Sequence, residues 1–175
     1  MTFWKVFFDS SISVDKIDTH YKTDKLLVEK VPYQGKVINI HFSTDKHINL
    51  IELEKLCDAV GWLRRPLSKV RIAIEHSIIT ISLIYKIKAK RVLVGFARAT
   101  SDCAFNATIW DVVVHPDLQG YGLGSALIHQ IIQKLRDQDI NTITLFADAH
   151  VISFYHNLGF ISDPDGVKGM FWYPR

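Results

Sequence analysis

The hydrophobic pattern predicts an alternation of strands and helices from residue 36 onward. Residues 36–42 alternate between apolar and polar positions and predict a first strand. Apolar residues then recur at helical spacing between Leu50 and Val60, and Gly61 is suited to end that helix. Pro66 fits the first turn of a second helix. Its inward positions are Val70, Ala73 and Ile74.

The middle of the chain is rich in β-branched residues and predicts two strands joined as a hairpin. They cover residues 78–85 and 91–100, with a basic turn between them. A fourth strand over residues 107–114 leads into a glycine loop at 119–124. The helix that follows has a single apolar stripe, formed by Leu127, Ile128, Ile131, Ile132 and Leu135.

The C-terminal part of the pattern predicts a fifth strand over 141–147, a short helix that Gly159 ends, and a last strand or two from Phe160 onward. This order predicts an α/β fold with a mixed sheet covered by helices. Residues 1–35 are polar and carry turn residues, which predicts a peripheral N-terminal arm. Residues 36–175 are then a single domain.

Composition narrows the classes of function. A chain of 175 residues, 48% hydrophobic and 22% charged, is typical of one globular domain. A net charge of +3 does not favour nucleic acid or a membrane as a partner. The two cysteines lack disulfide or metal-site spacing, and the N-terminal residues do not resemble a signal peptide. His115, His129, His150 and His156 form no convincing ligand set, so no metal is expected.

The segment after the fourth strand has the pattern of an anion site. A glycine loop that opens a helix offers free backbone N–H groups and the positive end of the helix dipole. A P-loop requires a lysine after its last glycine, and Leu123-Gly124-Ser125 has none. Gly120, Gly122 and Gly124 also miss the G-x-G-x-x-G spacing of dinucleotide sites. Both nucleotide interpretations are therefore poor.

Two motifs resemble the GCN5-related N-acetyltransferase family. The first is Gln119-x-x-Gly122-x-Gly124 after a strand that ends Val114-His115-Pro116, similar to the family's pyrophosphate loop. The second is Phe154-Tyr155 before Leu158-Gly159-Phe160, similar to its closing motif. Segments 58–66, 105–111 together with Asp102, and 169–174 are similar to the plastid and cyanobacterial branch, which includes chloroplast enzymes described as serotonin or lysine acetyltransferases.

The resemblance implies a mostly antiparallel central sheet with a V-shaped splay between the fourth and fifth strands. It implies acetyl-CoA as cosubstrate and Tyr155 as the acid that protonates the departing thiolate. The expected cofactor contacts are Val112, Val113, Val114, Gln119, Gly120, Tyr121, Gly122, Leu123, Gly124 and Ser125.

Other polar residues are candidates for supporting roles. Asp111 has apolar neighbours on its strand, sharing a face with Ile109 and Val113, and is either a proton-accepting base or relay, or a satisfied structural acid. Asn106 and Asp102 are candidates for positioning substrate, although turn formation explains them equally well. Asp148 is expected to cap the short helix. Arg64 and Arg65 either meet an anionic group of the ligands or are solvated.

The leading hypothesis is an N-acetyltransferase that works by direct attack in a ternary complex. The acceptor is a small arylalkylamine such as serotonin or a protein amine, and both stay open. A CoA-binding regulatory domain is the alternative, with a nucleotide-dependent enzyme third. The resemblance favours the plastid stroma, or the cytoplasm of a cyanobacterium. A homodimer is left open.

Overall fold

The computed structural model of the protein describes residues 24–88 and 90–174. Within them the strands and helices follow in this order: β1 (Lys25–Tyr33), β2 (Lys36–Ser43), α1 (Leu50–Ala59), α2 (Leu67–Glu75), β3 (Ile79–Ile87), β4 (Lys90–Ser101), β5 (Asn106–Val114), α3 (Leu123–Arg136), β6 (Thr142–Leu145) and α4 (Ile152–His156). Short 3₁₀ turns lie at Pro116–Leu118, Ala149–Val151 and Pro164–Gly166.

The described strands form one sheet in the order β1-β2-β3-β4-β5-β6. Neighbouring strands are antiparallel except for β5 and β6, which are parallel. The parallel pairing runs only from Asn106↔Thr142 to Ile109↔Leu145, although β5 continues to Val114. Strand β6 ends at Leu145, so beyond Ile109 the edge of β5 on that side has no paired strand. This confirms the mixed, mostly antiparallel sheet and the splay between the fourth and fifth strands of the sequence prediction.

Helices cover both faces of the sheet, in two separate apolar clusters. The apolar stripe of α3 is buried against one face, as its spacing predicted, and Leu127 and Ile128 are fully buried there. On the other face Leu53 and Leu56 of α1 pack with Ile74 of α2. Asn49 starts α1 by accepting hydrogen bonds from two backbone N–H groups of its first turn. The sheet is thus a rigid support between two helical layers.

Two sequence predictions about the ends of the fold are wrong. The sheet begins at Lys25 rather than at Lys36, because the second half of the predicted arm forms β1 and pairs with β2. Residues 1–23 of that arm lie outside the described residues. No strand follows Phe160 within residues 160–174. Asp163, Asp165 and Gly166 take positive φ angles there, which an extended strand does not accommodate.

The contribution of β1 to the core leads to a prediction on stability. Val31 of β1 is 2% exposed, whereas Val37 at the start of β2 is 68% exposed. Val31→Ala should lower the free energy of unfolding by about 2 kcal/mol, from roughly 0.8 kcal/mol per buried methylene plus a cavity cost. Val37→Ala is the matched control and should change it by less than about 0.5 kcal/mol. Urea unfolding measures both, and equal losses would contradict burial of β1.

Candidate active site

The glycine loop connects β5 to α3 and leaves the first turn of that helix uncapped. Gly120 and Gly122 have φ angles of 82° and 76°, a left-handed conformation that favours glycine. Among the described residues no atom lies within 4 Å of the position that a Cβ would take at either glycine. Gly122 is the N-cap of α3 and provides no side-chain cap. The first N–H groups of α3 are therefore available to an anion.

A cleft of about 890 Å³ runs from this loop between β5 and the chain that follows β6. That volume is within the range of small-molecule sites. The cleft is lined by Val60, Trp62, Ile109, Trp110, Asp111, Val112, Val113, Val114, Gln119, Gly120, Gly122, Leu123, Gly124, Ser125, Leu145, Phe146, Ala147, Asp148, His150, Val151, Phe154 and Tyr155. It exists because β6 pairs with only the first part of β5.

A β-bulge at Asp111 changes the direction of β5 inside the cleft. Opposite β4, Trp110 pairs with Arg98 and Val113 pairs with Phe96, so two residues of β5 face one of β4. Asp111 takes a φ angle of 55°, in the left-handed region. The bulge reverses the alternation, because Ile109 packs in the cluster of α3 and Val113 in that of α1 and α2. The expectation that Asp111 shares a face with both is therefore wrong.

Helix α4 brings Tyr155 into the same cleft as the glycine loop. A Cβ at Gly124 would lie 3.3 Å from Cζ of Phe154, so the phenyl ring packs directly on the first turn of α3. Tyr155 is half-buried, with its ring 5.0 Å from that of Phe154 and 5.8 Å from that of Phe160. Gly159, at φ 90°, ends the helix as its position predicted. Close packing of α4 on α3 thus holds the phenol beside the loop.

The environment of Tyr155 favours its protonated form. Burial raises the pKa of the phenol above its ordinary value of 10.0, and the nearby charge of Asp148 raises it further. A raised pKa means that the hydroxyl keeps its proton throughout the neutral range. The side chain can therefore donate a proton to an anion that forms in the cleft.

Asp111 is held by two arginines, one at each of its carboxylate oxygens. Nε of Arg98, on β4, donates to Oδ2 of Asp111 at 2.6 Å. Arg65, just before α2, donates from a terminal nitrogen to Oδ1 at 2.9 Å. Both carboxylate oxygens are thus engaged in charge-assisted hydrogen bonds. The neighbouring Arg64 bonds instead to Asp58, with distances of 2.7–3.3 Å.

Aromatic side chains line the end of the cleft away from the glycine loop. The rings of Trp110 and Phe146 lie 5.6 Å apart, and Phe146 contacts Phe171 edge-on at 5.1 Å. Trp62 reaches the cleft from the loop between α1 and α2. Trp110 and Phe146 are partly exposed, and their aromatic surface suits the apolar part of a substrate.

Comparison with known proteins identifies the family. The Acetyltransferase (GNAT) family model matches residues 48–160, more than half of the chain. The chain belongs to the GNAT acetyltransferase family.

Relatives and solved structures agree with this result. The chain is 59% identical over 176 residues to an uncharacterized N-acetyltransferase, ycf52, of Pyropia yezoensis, covering 100% of both proteins. It is 46% identical to the chloroplastic GCN5-related N-acetyltransferase 2 of Arabidopsis thaliana, over 85% of this chain and 64% of that protein. A GNAT family acetyltransferase of Streptococcus pneumoniae has the same fold, with a TM-score of 0.65 and 22% identity over 78% of this chain and 98% of that chain. The protein is an acetyltransferase enzyme.

Most residues that the resemblance implied line the cleft. The β5 valines, the glycine loop and Tyr155 do so, but Tyr121 is exposed and lies outside the lining. Gln119 lines the cleft while its side-chain amide donates to the carbonyl of Val114 at 3.1 Å. Asp148 occupies the N-cap position of a 3₁₀ turn without a side-chain hydrogen bond, so the expected cap does not form. Instead it lines the cleft near Tyr155.

Asp102 and Asn106 are not brought to the cleft. Oδ1 of Asp102 accepts hydrogen bonds from the backbone N–H groups of Ala104, Phe105 and Asn106 at 2.8–3.0 Å. The side-chain amide of Asn106 donates to Oδ2 of the same carboxylate at 3.1 Å. Both side chains thus organise the turn between β4 and β5. Their role in positioning substrate stays a prediction.

Sequence reasoning missed several residues at the site. Arg98 lies in the middle of a strand without a motif around it, and its pairing with Asp111 depends on the register of β4 and β5. Phe146 and Trp62 come from separate segments that meet only in the fold. In the described part of the chain, no group of three or more His, Cys, Asp and Glu side chains could hold a metal ion. None of the helices described there is long and apolar enough for a membrane span.

The turn at Asp102 gives a pH-dependent prediction. Hydrogen bonds from the backbone N–H groups of Asn106, Ala104 and Phe105 hold the pKa of its carboxyl well below the ordinary 3.8. Because the folded pKa is lowered, the stabilisation is present above the unfolded pKa and is lost as the pH falls through the folded value. Asp102→Ala should lower Tm by a few degrees at neutral pH.

The difference in Tm between wild type and Asp102→Ala should shrink as the pH is lowered below about 4. Asp137→Ala is the control, because Asp137 is an exposed carboxylate. The distance from its Oδ2 to Nζ of Lys134 is 4.0 Å, which is long for an ion pair. Thermal unfolding followed by circular dichroism at several pH values measures both variants. A pH-independent difference for Asp102→Ala would contradict the role of its ionised form.

Proposed function

We propose that the protein binds acetyl-CoA along this cleft and transfers the acetyl group to a primary amine by direct attack in a ternary complex. The observation that carries the proposal is the common cleft of the glycine loop and Tyr155. It offers an anion site and a proton donor to one extended ligand. Membership of the GNAT family supports acetyl-CoA as that ligand.

The residues present fit the cofactor. Its diphosphate is anionic, and the uncapped first turn of α3 provides backbone N–H groups and a positive dipole for it. The bare backbone at Gly120 and Gly122 allows phosphate oxygens to approach closely. Beyond Ile109 the backbone of β5 has no strand on the side of β6, so Val112, Val113 and Val114 can bond the pantetheine arm there.

Acetyl-CoA supplies a thioester, whose acetyl carbon is electrophilic and whose sulfur leaves as a thiolate. A backbone N–H near Val113, if directed at the edge without a paired strand, would stabilise the oxyanion that develops on attack. Tyr155 would give its proton to the sulfur, because its raised pKa keeps the phenol neutral until then. Burial raises the pKa of the Cys57 thiol, which does not favour an acetylated cysteine and supports direct attack by the amine.

The attacking amine must also lose a proton, because primary amines have pKa values near 10. Asp111 faces the cleft and stays the predicted acceptor or relay, although both of its oxygens already accept N–H groups of arginines. An ammonium at Asp111 would therefore compete with Arg65 or use the remaining lone pairs of the carboxylate. This geometry favours Asp111 as the partner of the two arginines in ion pairs over Asp111 as the proton acceptor.

The acceptor stays within the two classes that the sequence left open. Trp62, Trp110 and Phe146 offer aromatic surface to an arylalkylamine, and the open end of the cleft also admits a protein lysine or N-terminus. The plastid stroma is the proposed location, supported by a relative named chloroplastic. A cyanobacterial cytoplasm is the alternative. A regulatory domain that binds CoA without turnover is the competing function.

Ligand binding and thiol release test the proposed function together. Acetyl-CoA at about 100 times its Kd should stabilise the fold by about 2.7 kcal/mol, seen as a rise in Tm, while ATP and NADH should give none. The free thiol of CoA should appear when the protein and acetyl-CoA are mixed with tryptamine, serotonin or a lysine peptide. Stabilisation without thiol release across a broad panel of amines would favour the regulatory domain. The absence of both stabilisation and thiol release would reject the proposal.

The assignment of Tyr155 as acid gives a second test. Tyr155→Phe removes the proton donor but keeps the ring, so kcat should fall by roughly 10²–10⁴-fold with little change in the Kd of CoA. Tyr33→Phe is the control, since Tyr33 lies on β1 outside the cleft lining. Steady-state thiol release and CoA titration measure the two quantities. An unchanged kcat would remove Tyr155 from the mechanism.

A further inference from the structure

The loop between α1 and α2 forms one wall of the cleft. It covers residues 60–66, and its residues Val60 and Trp62 line the cleft together with the bulge of β5. Its backbone hydrogen bonds run back to α1, from Gly61 to the carbonyl of Asp58 and from Trp62 to that of Cys57. These bonds hold the loop to its own helix. They do not connect it to the sheet.

Val60 and Trp62 pack on the apolar cluster between the sheet and helices α1 and α2, and the side chain of Arg65 adds a polar link to this contact. Its hydrogen bond to Asp111 spans 46 residues of sequence and joins the end of the loop to the bulge of β5. The same guanidinium contacts the thiol of Cys57 on α1. Arg65 does not line the cleft itself, so it reaches the carboxylate from behind the wall. From there it ties the end of the loop, three residues after Trp62, to the bulge.

The two arginines that hold Asp111 differ in how firmly they are held. Arg98 is 12% exposed, lies on a central strand and also contacts the hydroxyl of Ser77. Arg65 is 43% exposed and lies on a loop. The bond of Arg98 to Oδ2 thus lies within the sheet, while the bond of Arg65 to Oδ1 joins the sheet to a more exposed loop. The bulge directs one oxygen toward each partner.

We propose that Arg65 is a positioning residue that latches the wall of the cleft onto Asp111 and thereby sets the affinity for the acceptor amine. Asp111 is the fixed half of this latch, held in place by Arg98. The part of the proposal that concerns the acceptor rests on the proposed function. The bond between Arg65 and Asp111 is a property of the fold, so its effect on the loop can be measured without any catalytic turnover.

The position of Trp62 allows that measurement. The full chain labelled with fluorotryptophan has four tryptophan signals in ¹⁹F NMR, and Trp62→Phe assigns the one from the loop. Arg65→Gln should shift or broaden the Trp62 signal, and Arg65→Lys should do so less because it keeps a charged donor. Arg64→Gln is the matched control, because Arg64 bonds to Asp58 within the same segment and should leave the signal unchanged.

A double-mutant cycle ties the effect to the pair. Asp111→Asn should shift the Trp62 signal at least as much as Arg65→Gln does, because it breaks the bond to Arg65 and also the one to Arg98. Adding Arg65→Gln to Asp111→Asn should then cause no further shift, since the bond between the two residues is already broken. Additive shifts would mean that the two residues act separately. A Trp62 signal in Arg65→Gln equal to that in Arg64→Gln would overturn the latch.

Kinetics test the consequence for substrate. With the amine that wild type acetylates, Arg65→Gln should raise the KM for that amine by about tenfold or more and leave the KM for acetyl-CoA within about twofold, as expected for one charge-assisted bond. Arg65→Lys should recover part of the affinity, and Arg64→Gln should match wild type. Equal changes in both KM values, or in neither, would overturn the role in acceptor binding.

The outcomes separate this inference from the proposed function. If wild type releases no thiol with any amine, the proposed function fails, while the Trp62 signal still decides whether Arg65 latches the loop. If wild type is active and the Trp62 signal does not respond to Arg65→Gln, the latch fails and the proposed function stands.

Discussion

Pairing between β5 and β6 stops at Ile109 and Leu145, and the site depends on the backbone edge that this leaves open. Backbone donors and acceptors in a sheet are normally used by the neighbouring strand. Here the last residues of β5 have a partner on the side of β4 alone, so their polar groups on the other side face a cleft. A ligand with amide groups can take the place of the missing strand there, as in strand addition.

The second constraint is the single extra residue in β5. It turns Asp111 toward the side of α1 and α2, where Arg65 and Arg98 neutralise it, and it reverses the faces of the residues that follow. A carboxylate at this depth is costly unless it is paired, and these two arginines satisfy it. The same bond joins the loop of Trp62 to the sheet. One local irregularity thus shapes both the wall and the charge of the cleft.

The cleft has different chemistry at its two ends, which fits a reaction between an anionic ligand and an amine. At one end, the uncapped first turn of α3 offers N–H groups beside a phenol whose pKa is raised by burial. At the other, aromatic rings lie beside a carboxylate held by arginines. Packing of Phe154 on Gly124 fixes the distance between loop and phenol, so side chains of a rigid core set the geometry of the site.

Local signals in the sequence determined most of the elements and the identity of the loop and of Tyr155. The apolar stripe of α3 and the anion site at the glycine loop act over a few residues, so spacing predicts them. Tyr155 was singled out by the resemblance of its short motif to the family's closing motif. Strand β1 was missed because an edge strand with mixed polarity is recognised mainly by its pairing with β2. Only the tertiary structure decided the bulge, the latch from Arg65 and the place of Arg98, because sheet register and contacts between distant segments have no local signature.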